Sequence, residues 1–115
     1  MEKNSKNILL IDPNDSGTLR LTINDPGNKN ALSEAMIQKL INAITKASKD
    51  NSIKVIVIAS IGEVFCSGHN LKEINEARKT DDGGKSYYLK LFNTCSSLMQ
   101  LIVNCSKPVI AEING

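Results

Sequence analysis

Phe65-Cys66-Ser67-Gly68-His69-Asn70 is the stretch of this chain best equipped for chemistry. Gly68 has no Cβ, so the backbone there can bend sharply and approach a ligand closely. The amides just beyond it stand at the start of an expected helix, unpaired within that helix and favourable to negative charge. This is half the geometry of an oxyanion hole, in which one donor typically contributes ~2.7–4 kcal/mol of transition-state stabilisation. Locally, the same pattern also fits an ordinary strand-to-helix turn that uses Gly68 for clearance. His69 is the single histidine of the chain. Its ring can act as a base or pair with Cys66, but a Cys–His nucleophile pair also needs an orienting third group. The oxyanion role uses only the His69 N–H and leaves the imidazole free to face solvent. Glu63 and Glu73 read as solvated surface. Glu112 falls on a strand expected to be buried, so it would face a partner subunit or a further segment of the fold.

The elements that must hold this turn are legible in the pattern. Ile8–Asp12 reads as a strand, Pro13–Gly17 as a turn, and Thr18–Ile23 as a second strand alternating polar and apolar residues at period two. Asp25-Pro26-Gly27-Asn28 is a further turn. Ser33 is an N-cap with Glu34 in the first turn, and Met36, Ile37, Leu40, Ile41 and Ile44 recur at helical spacing to about Lys49. After the breaker Asp50-Asn51-Ser52, the β-branched run Ile53–Ala59 is expected to form a strand buried on both faces. A short helix opens at Leu71, Thr80–Lys85 reads as a polar flexible loop, and the stripe from Tyr87 to Ile102 marks a long helix whose apolar face includes Cys95. Lys107–Ile113 is a last strand with Pro108 near its start, and Asn114-Gly115 is a turn dipeptide. The order β-β-α-β-turn-α-α-β predicts an α/β fold whose sheet is covered by helices. The last strand runs to the end of the sequence and is expected to leave the sheet incomplete there, with Ile110 on an unpaired, association-prone edge.

Bulk composition narrows the function classes. One domain fits 115 residues. The 14 basic and 12 acidic residues are close to balance, which argues against nucleic acid as a partner. Aromatic residues make up only 3%, so Ile, Leu, Val and Met must fill the core. Three cysteines with no C-x-x-C pair, together with one histidine, make a metal site unexpected. They suit reduced thiols and a cytoplasmic location. No apolar run approaches the ~20 residues of a bilayer span, and the first residues carry neither a secretory nor a mitochondrial presequence pattern.

Four segments in order give the turn a context: Lys29-Asn30-Ala31-Leu32-Ser33, Lys54-Val55-Ile56-Val57-Ile58, Phe65 through Glu73, and Lys107 through Gly115. Together they resemble the crotonase superfamily, the enoyl-CoA hydratase/isomerase family. The resemblance implies that residues 1–115 form the N-terminal portion of one enoyl-CoA hydratase/isomerase domain, built from repeated β-β-α units. It implies an acyl-CoA thioester as substrate, with CoA part of the substrate and no separate cofactor, a place in fatty-acid metabolism, and homo-trimers or hexamers. The His69 N–H would be the first oxyanion donor. Lys29, Ala31, Leu32, Ser67, Gly68, His69, Asn70 and Leu71 would line the thioester and CoA channel, and Lys72 could reach the CoA phosphates.

Two departures shape the functional reading. Family members continue past the Asn-Gly pair into a second Gly-rich loop that supplies the other amide, and the two hydratase glutamates follow it. Many hydratases carry Ala-Asp where this sequence has His69-Asn70, and the Ser-Gly-His form is similar to a subgroup that does not reliably keep those acids. The expectation is therefore acyl-CoA binding and enolate stabilisation of hydratase or isomerase type. The alternative is a non-catalytic family member that binds CoA esters or associates with full-length subunits. An unrelated nucleotide binder would need a G-x-G-x-x-G or a P-loop, and the sequence has neither.

Overall fold

The turn between the first two strands is shaped by one side chain. Asn14 Oδ1 accepts from the Ser16 amide at 3.1 Å, the Ser16 hydroxyl at 2.9 Å and the Thr18 amide at 2.9 Å. In the computed structural model, which describes residues 7–114, this turn joins β1 (Leu9–Pro13) to β2 (Thr18–Ile23) as an antiparallel pair with Leu9 opposite Ile23 and Pro13 opposite Leu19. Residues 1–6 and Gly115 lie outside the described residues, and with them most of the presequence reading and the second half of the terminal turn dipeptide. The period-two pattern of β2 is realised: Leu19, Leu21 and Ile23 are buried, while Thr18, Arg20 and Thr22 are half-buried.

A single 3-10 turn, Pro26–Asn28, leads toward α1 (Glu34–Ser48). Ser33 caps this helix, its hydroxyl accepting from the Met36 amide at 3.1 Å. Of the expected apolar stripe, Met36, Ile37, Leu40 and Ile44 are buried and Ile41 is half-buried against the same core, joined by buried Ala43 and Ala47. Each large side chain so buried contributes about 1.5–3 kcal/mol. At the other end, the Lys107 ammonium donates to the Ala47 carbonyl at 2.6 Å and to the Asp50 carbonyl. A cation there satisfies orphan carbonyls and complements the helix dipole. Asp50 Oδ1 accepts from the amide and hydroxyl of Ser52, and those bonds hold its carboxyl below the ordinary value.

β3 (Val55–Ser60) and β4 (Val109–Ala111) complete a mixed sheet in the order β1-β2-β3-β4, with β2, β3 and β4 parallel to one another. Leu9, Leu19, Leu21, Ile23 and Ile56 form one core with α1 and with Leu91 and Leu98 of α3 (Lys85–Asn104). The short α2 (Leu71–Ala77) packs on α3.

Four expectations need correction. β3 is not buried on both faces: Ile56 and Ala59 are buried, whereas Val55, Val57 and Ile58 are half-buried. Val55 and Val57 lie on the sheet's far side, where Arg20 makes a bidentate ion pair with Glu112 at 2.9 Å across the parallel strands, while Ile58 packs partly buried against the core. No helix among the described residues covers that pair. Glu112 is thus exposed and paired on its own sheet. The last strand is also shorter than expected, only Val109–Ala111, although the Glu112 amide still donates to the Ile58 carbonyl at 2.8 Å. Finally, the polar 80–85 loop is tied down. Asp82 accepts from the Thr80 hydroxyl, the Gly84 amide, and the amide and hydroxyl of Ser86, and so caps α3.

These bonds, the Ser86 hydroxyl first, hold the Asp82 carboxyl well below its usual value of 3.8. A folded value below the unfolded one gives stability that is present above the unfolded value and lost as pH falls through the folded one. We expect thermal melts unchanged by this group from about pH 7 to about pH 5 and a falling Tm below about pH 4. Asp82→Asn should flatten that acid slope.

Candidate functional site

Two loops meet at the carboxyl ends of β2 and β3. The β2–α1 loop carries two non-glycine residues in the left-handed region, Lys29 at φ 53° and Asn30 at φ 56°. Asn30 is 1% exposed. Its Oδ1 accepts from the Asp25 amide at 2.7 Å, and its Nδ2 donates to the carbonyls of Ile61 at 2.8 Å and Val64 at 2.7 Å. The Asp25 carboxylate is buried alongside and accepts from Asn28 Nδ2. One carboxamide therefore fastens the loop before α1 to the loop after β3.

Two residues further on, the Leu32 amide donates to the Gly68 carbonyl at 2.6 Å, and Leu32 pairs with His69 in a single parallel bridge. The Gly68 carbonyl and the His69 N–H belong to one trans-planar peptide and point in opposite directions. Anchoring the carbonyl on Leu32 therefore aims the His69 N–H away from Leu32. Among the described residues, nothing accepts a hydrogen bond from it. Gly68 itself sits at φ +95°, and an added Cβ would meet nothing within 4 Å. The glycine is thus needed for its backbone angle, in keeping with the sharp bend expected there, and no protein atom calls for clearance. Just beyond, Asn70 caps α2, its Oδ1 accepting from the Glu73 amide at 3.1 Å.

The result is an open groove of about 320 Å³. Of the predicted channel residues, Lys29, Ala31, Ser67, His69, Asn70 and Leu71 line it, joined by Gly27, Asn28 and Lys72. Leu32 and Gly68 are not on its wall. They lie behind it and make the bond that aims the His69 peptide. Leu71 is 71% exposed, an apolar side chain offered to the groove, and Lys29 and Lys72 are exposed cations on the same groove.

The His69 ring does not simply face solvent. It is half-buried, stands edge-on to Phe92 with centroids 6.4 Å apart, and its Nδ1 is buried with no partner. Cys66 Sγ accepts from the Gly68 amide at 3.4 Å, so the thiol serves the turn. Glu73 also departs from its expected place. Half-buried, it accepts the Glu34 amide at 3.0 Å and weakly the Tyr87 hydroxyl at 3.5 Å. Burial, and then the Glu73 and Glu34 carboxylates, push the Tyr87 phenol up to about 12. Among the described residues, no group of His, Cys, Asp and Glu is placed to hold a metal ion, and no helix is long and apolar enough to cross a membrane.

A mixed sheet with helices on one face and a strand-to-helix turn after β3 make an α/β fold of the crotonase type. The chain belongs to the enoyl-CoA hydratase/isomerase family, whose model matches residues 14–115. It is 43% identical over 107 residues to the mitochondrial enoyl-CoA hydratase domain-containing protein 3 of Xenopus laevis, covering 93% of this chain and 35% of that protein. Among solved structures, an enoyl-CoA hydratase of Mycobacterium smegmatis superposes with a TM-score of 0.85 at 38% identity, over 96% of this chain and 41% of that one. Human enoyl-CoA hydratase domain-containing protein 3 gives 0.83 at 37% identity, over 94% and 40%. The chain thus spans about a third of the length of the curated relatives it matches.

The positive φ of Gly68 makes a direct prediction. With no atom near the added Cβ, Gly68→Ala should cost only backbone strain, roughly 1–2 kcal/mol of unfolding free energy. Urea denaturation of the two proteins measures it, and an unchanged midpoint would contradict the left-handed assignment.

Proposed function

We propose that the groove binds an acyl-CoA thioester and that the His69 backbone N–H donates to the thioester oxygen, stabilising the enolate of a hydratase- or isomerase-type reaction in fatty-acid metabolism. The observation that carries this reading is the free amide of the 68–69 peptide, held by Leu32 beside a groove lined by Lys29, Ala31, Ser67, Asn70 and Leu71. An acyl-CoA is a long, largely flexible ligand with anionic phosphates at one end and a polarisable carbonyl near the other. Exposed Lys29 and Lys72 suit the phosphates, Ala31 and Leu71 suit the aliphatic arm, and the amide suits the carbonyl oxygen. Family membership supports a function tied to CoA thioesters.

In this reading the protein's contribution is electrostatic preorganisation. As a proton leaves or joins the α carbon, charge develops on the thioester oxygen, and a fixed donor meets it without reorganising. The reading also calls for a second donor and for side chains that move protons at the α and β carbons, roles it assigns to none of the described residues. A second reading is CoA-ester binding or association with full-length subunits without turnover, and hydration by this chain would exclude it.

Two substitutions separate the backbone from the ring. His69→Ala keeps the N–H, and His69→Pro removes it. Titration with a conjugated CoA thioester should show a red-shifted absorbance band for the native chain and for His69→Ala, because donation to the carbonyl polarises the chromophore. His69→Pro should lose the shift, and in a catalytically complete assembly should lose about 10²–10³-fold in kcat. A band that vanishes in His69→Ala and persists in His69→Pro would assign the chemistry to the imidazole. With crotonyl-CoA, the 115-residue chain should bind without measurable hydration. Turnover by this chain alone would overturn the placement of proton transfer elsewhere.

A further inference from the structure

We infer that Asn30 is a positioning residue for the His69 amide, a role that rests on the function proposed above and reaches the site through a closed loop of hydrogen bonds. The loop can be traced atom by atom. Asn30 Nδ2 donates to the Val64 carbonyl at 2.7 Å. The chain then runs from Val64 through Phe65, Cys66 and Ser67 to Gly68, whose carbonyl accepts from the Leu32 amide at 2.6 Å. From Leu32 the chain returns through Ala31 to Asn30. The turn that bears the free N–H is therefore pinned at both ends, once by Asn30 and once by Leu32. Without the first pin, residues 64–68 hang from a single hydrogen bond, and the 68–69 peptide can rotate about it.

Among common side chains, asparagine meets this requirement best. The position is left-handed, at φ 56°, which Asn tolerates better than most residues. It must accept one hydrogen bond, from the Asp25 amide, and donate two, to the Ile61 and Val64 carbonyls. An aspartate has the acceptor but, ionised, no donor, and it would set its charge against two carbonyl oxygens. A glycine keeps the backbone conformation and loses all three bonds. Asn30 itself is 1% exposed and absent from the groove wall, so it acts on the ligand only through the peptide it holds.

The test uses amide hydrogen exchange by NMR on the native chain, Asn30→Asp and Asn30→Gly, comparing the Leu32 amide with the Ile56 amide. The latter donates to the Pro108 carbonyl at 2.9 Å, inside the sheet. The expected result is exchange at Leu32 faster by a factor of ten or more in both variants, with Ile56 still protected. Unchanged exchange at Leu32 in either variant overturns the inference. So does an equal loss at Leu32 and Ile56 in both, because Asn30 would then serve global stability alone. A second readout is the red shift per bound molecule of the CoA thioester of cinnamic acid at saturation. It should fall in both variants by at least half relative to the native chain, and a full shift in either counts against positioning. A native chain that fails to bind the thioester refutes the proposed function, while the exchange comparison still decides the role of Asn30.

Discussion

The hydrogen bond from the Leu32 amide to the Gly68 carbonyl joins two loops that are 36 residues apart in sequence. What makes it central is where it falls. Ser33, the cap of α1, follows Leu32 directly, and Asn70, the cap of α2, lies two residues past Gly68. The bond thus sets the N-termini of two helices side by side. Glu73 completes the junction by accepting the Glu34 amide, so that a residue of α2 satisfies an orphan donor of α1. The buried stripe of α1 fixes where that helix lies on the sheet. The direction of the His69 N–H is accordingly inherited from the hydrophobic core through one peptide plane. A donor oriented by core packing need not be reoriented when a ligand arrives, which is the physical content of preorganisation.

Backbone strain is concentrated beside the same groove. Lys29 and Asn30 are the two non-glycine residues with positive φ among the described residues, and left-handed backbone costs about 1–2 kcal/mol for an ordinary L residue. Asn30 offsets its share with three short bonds, two of them to carbonyls that would otherwise be left without that donor. Lys29 has a smaller compensation, its amide donating to the Pro26 carbonyl at 3.0 Å. What the left-handed pair achieves is a chain reversal tight enough to bring Ala31 and the 67–72 segment to opposite sides of one groove.

Local pattern was enough to place most elements, because the signals are short-range. Period two in β2, the Ser33 cap and the stripe of α1 each depend on neighbours within a few residues, and each matches the structure closely. The resemblance of four ordered segments carried the fold class, and the crotonase-type neighbours agree with it. What was not legible depends on partners far along the chain. Glu73 reads as solvent-facing until α1 is placed beside α2, and Glu112 reads as a misplaced charge until Arg20 appears on β2, two strands away. Lys107 looks like a strand flank, yet it closes the end of α1. β3 looks doubly buried because β-branched runs usually are, a statistical inference that knows nothing of how many layers surround it. The carboxamide of Asn30 belongs to the same class: its motif is visible in the sequence, but its three acceptors and donors are not.

The geometry also separates binding from catalysis on energetic grounds. A hydrogen bond exchanged with water contributes about 0.5–1.5 kcal/mol net, whereas the same donor in a water-excluded site contributes ~2.7–4 kcal/mol to a transition state. The groove beside His69 is open to solvent. The apolar surfaces nearby are equally uncovered. Leu71 is 71% exposed, and Phe92, which meets the His69 ring edge-on, is 59% exposed. Covering Phe92 and Leu71 would remove water from around the 68–69 peptide without moving it, since Leu32 and Asn30 already hold its direction from behind. Orientation of the donor and exclusion of water are therefore separable tasks in this fold. On the function proposed above, the residues described here serve the first, and the strength of the site depends on the second.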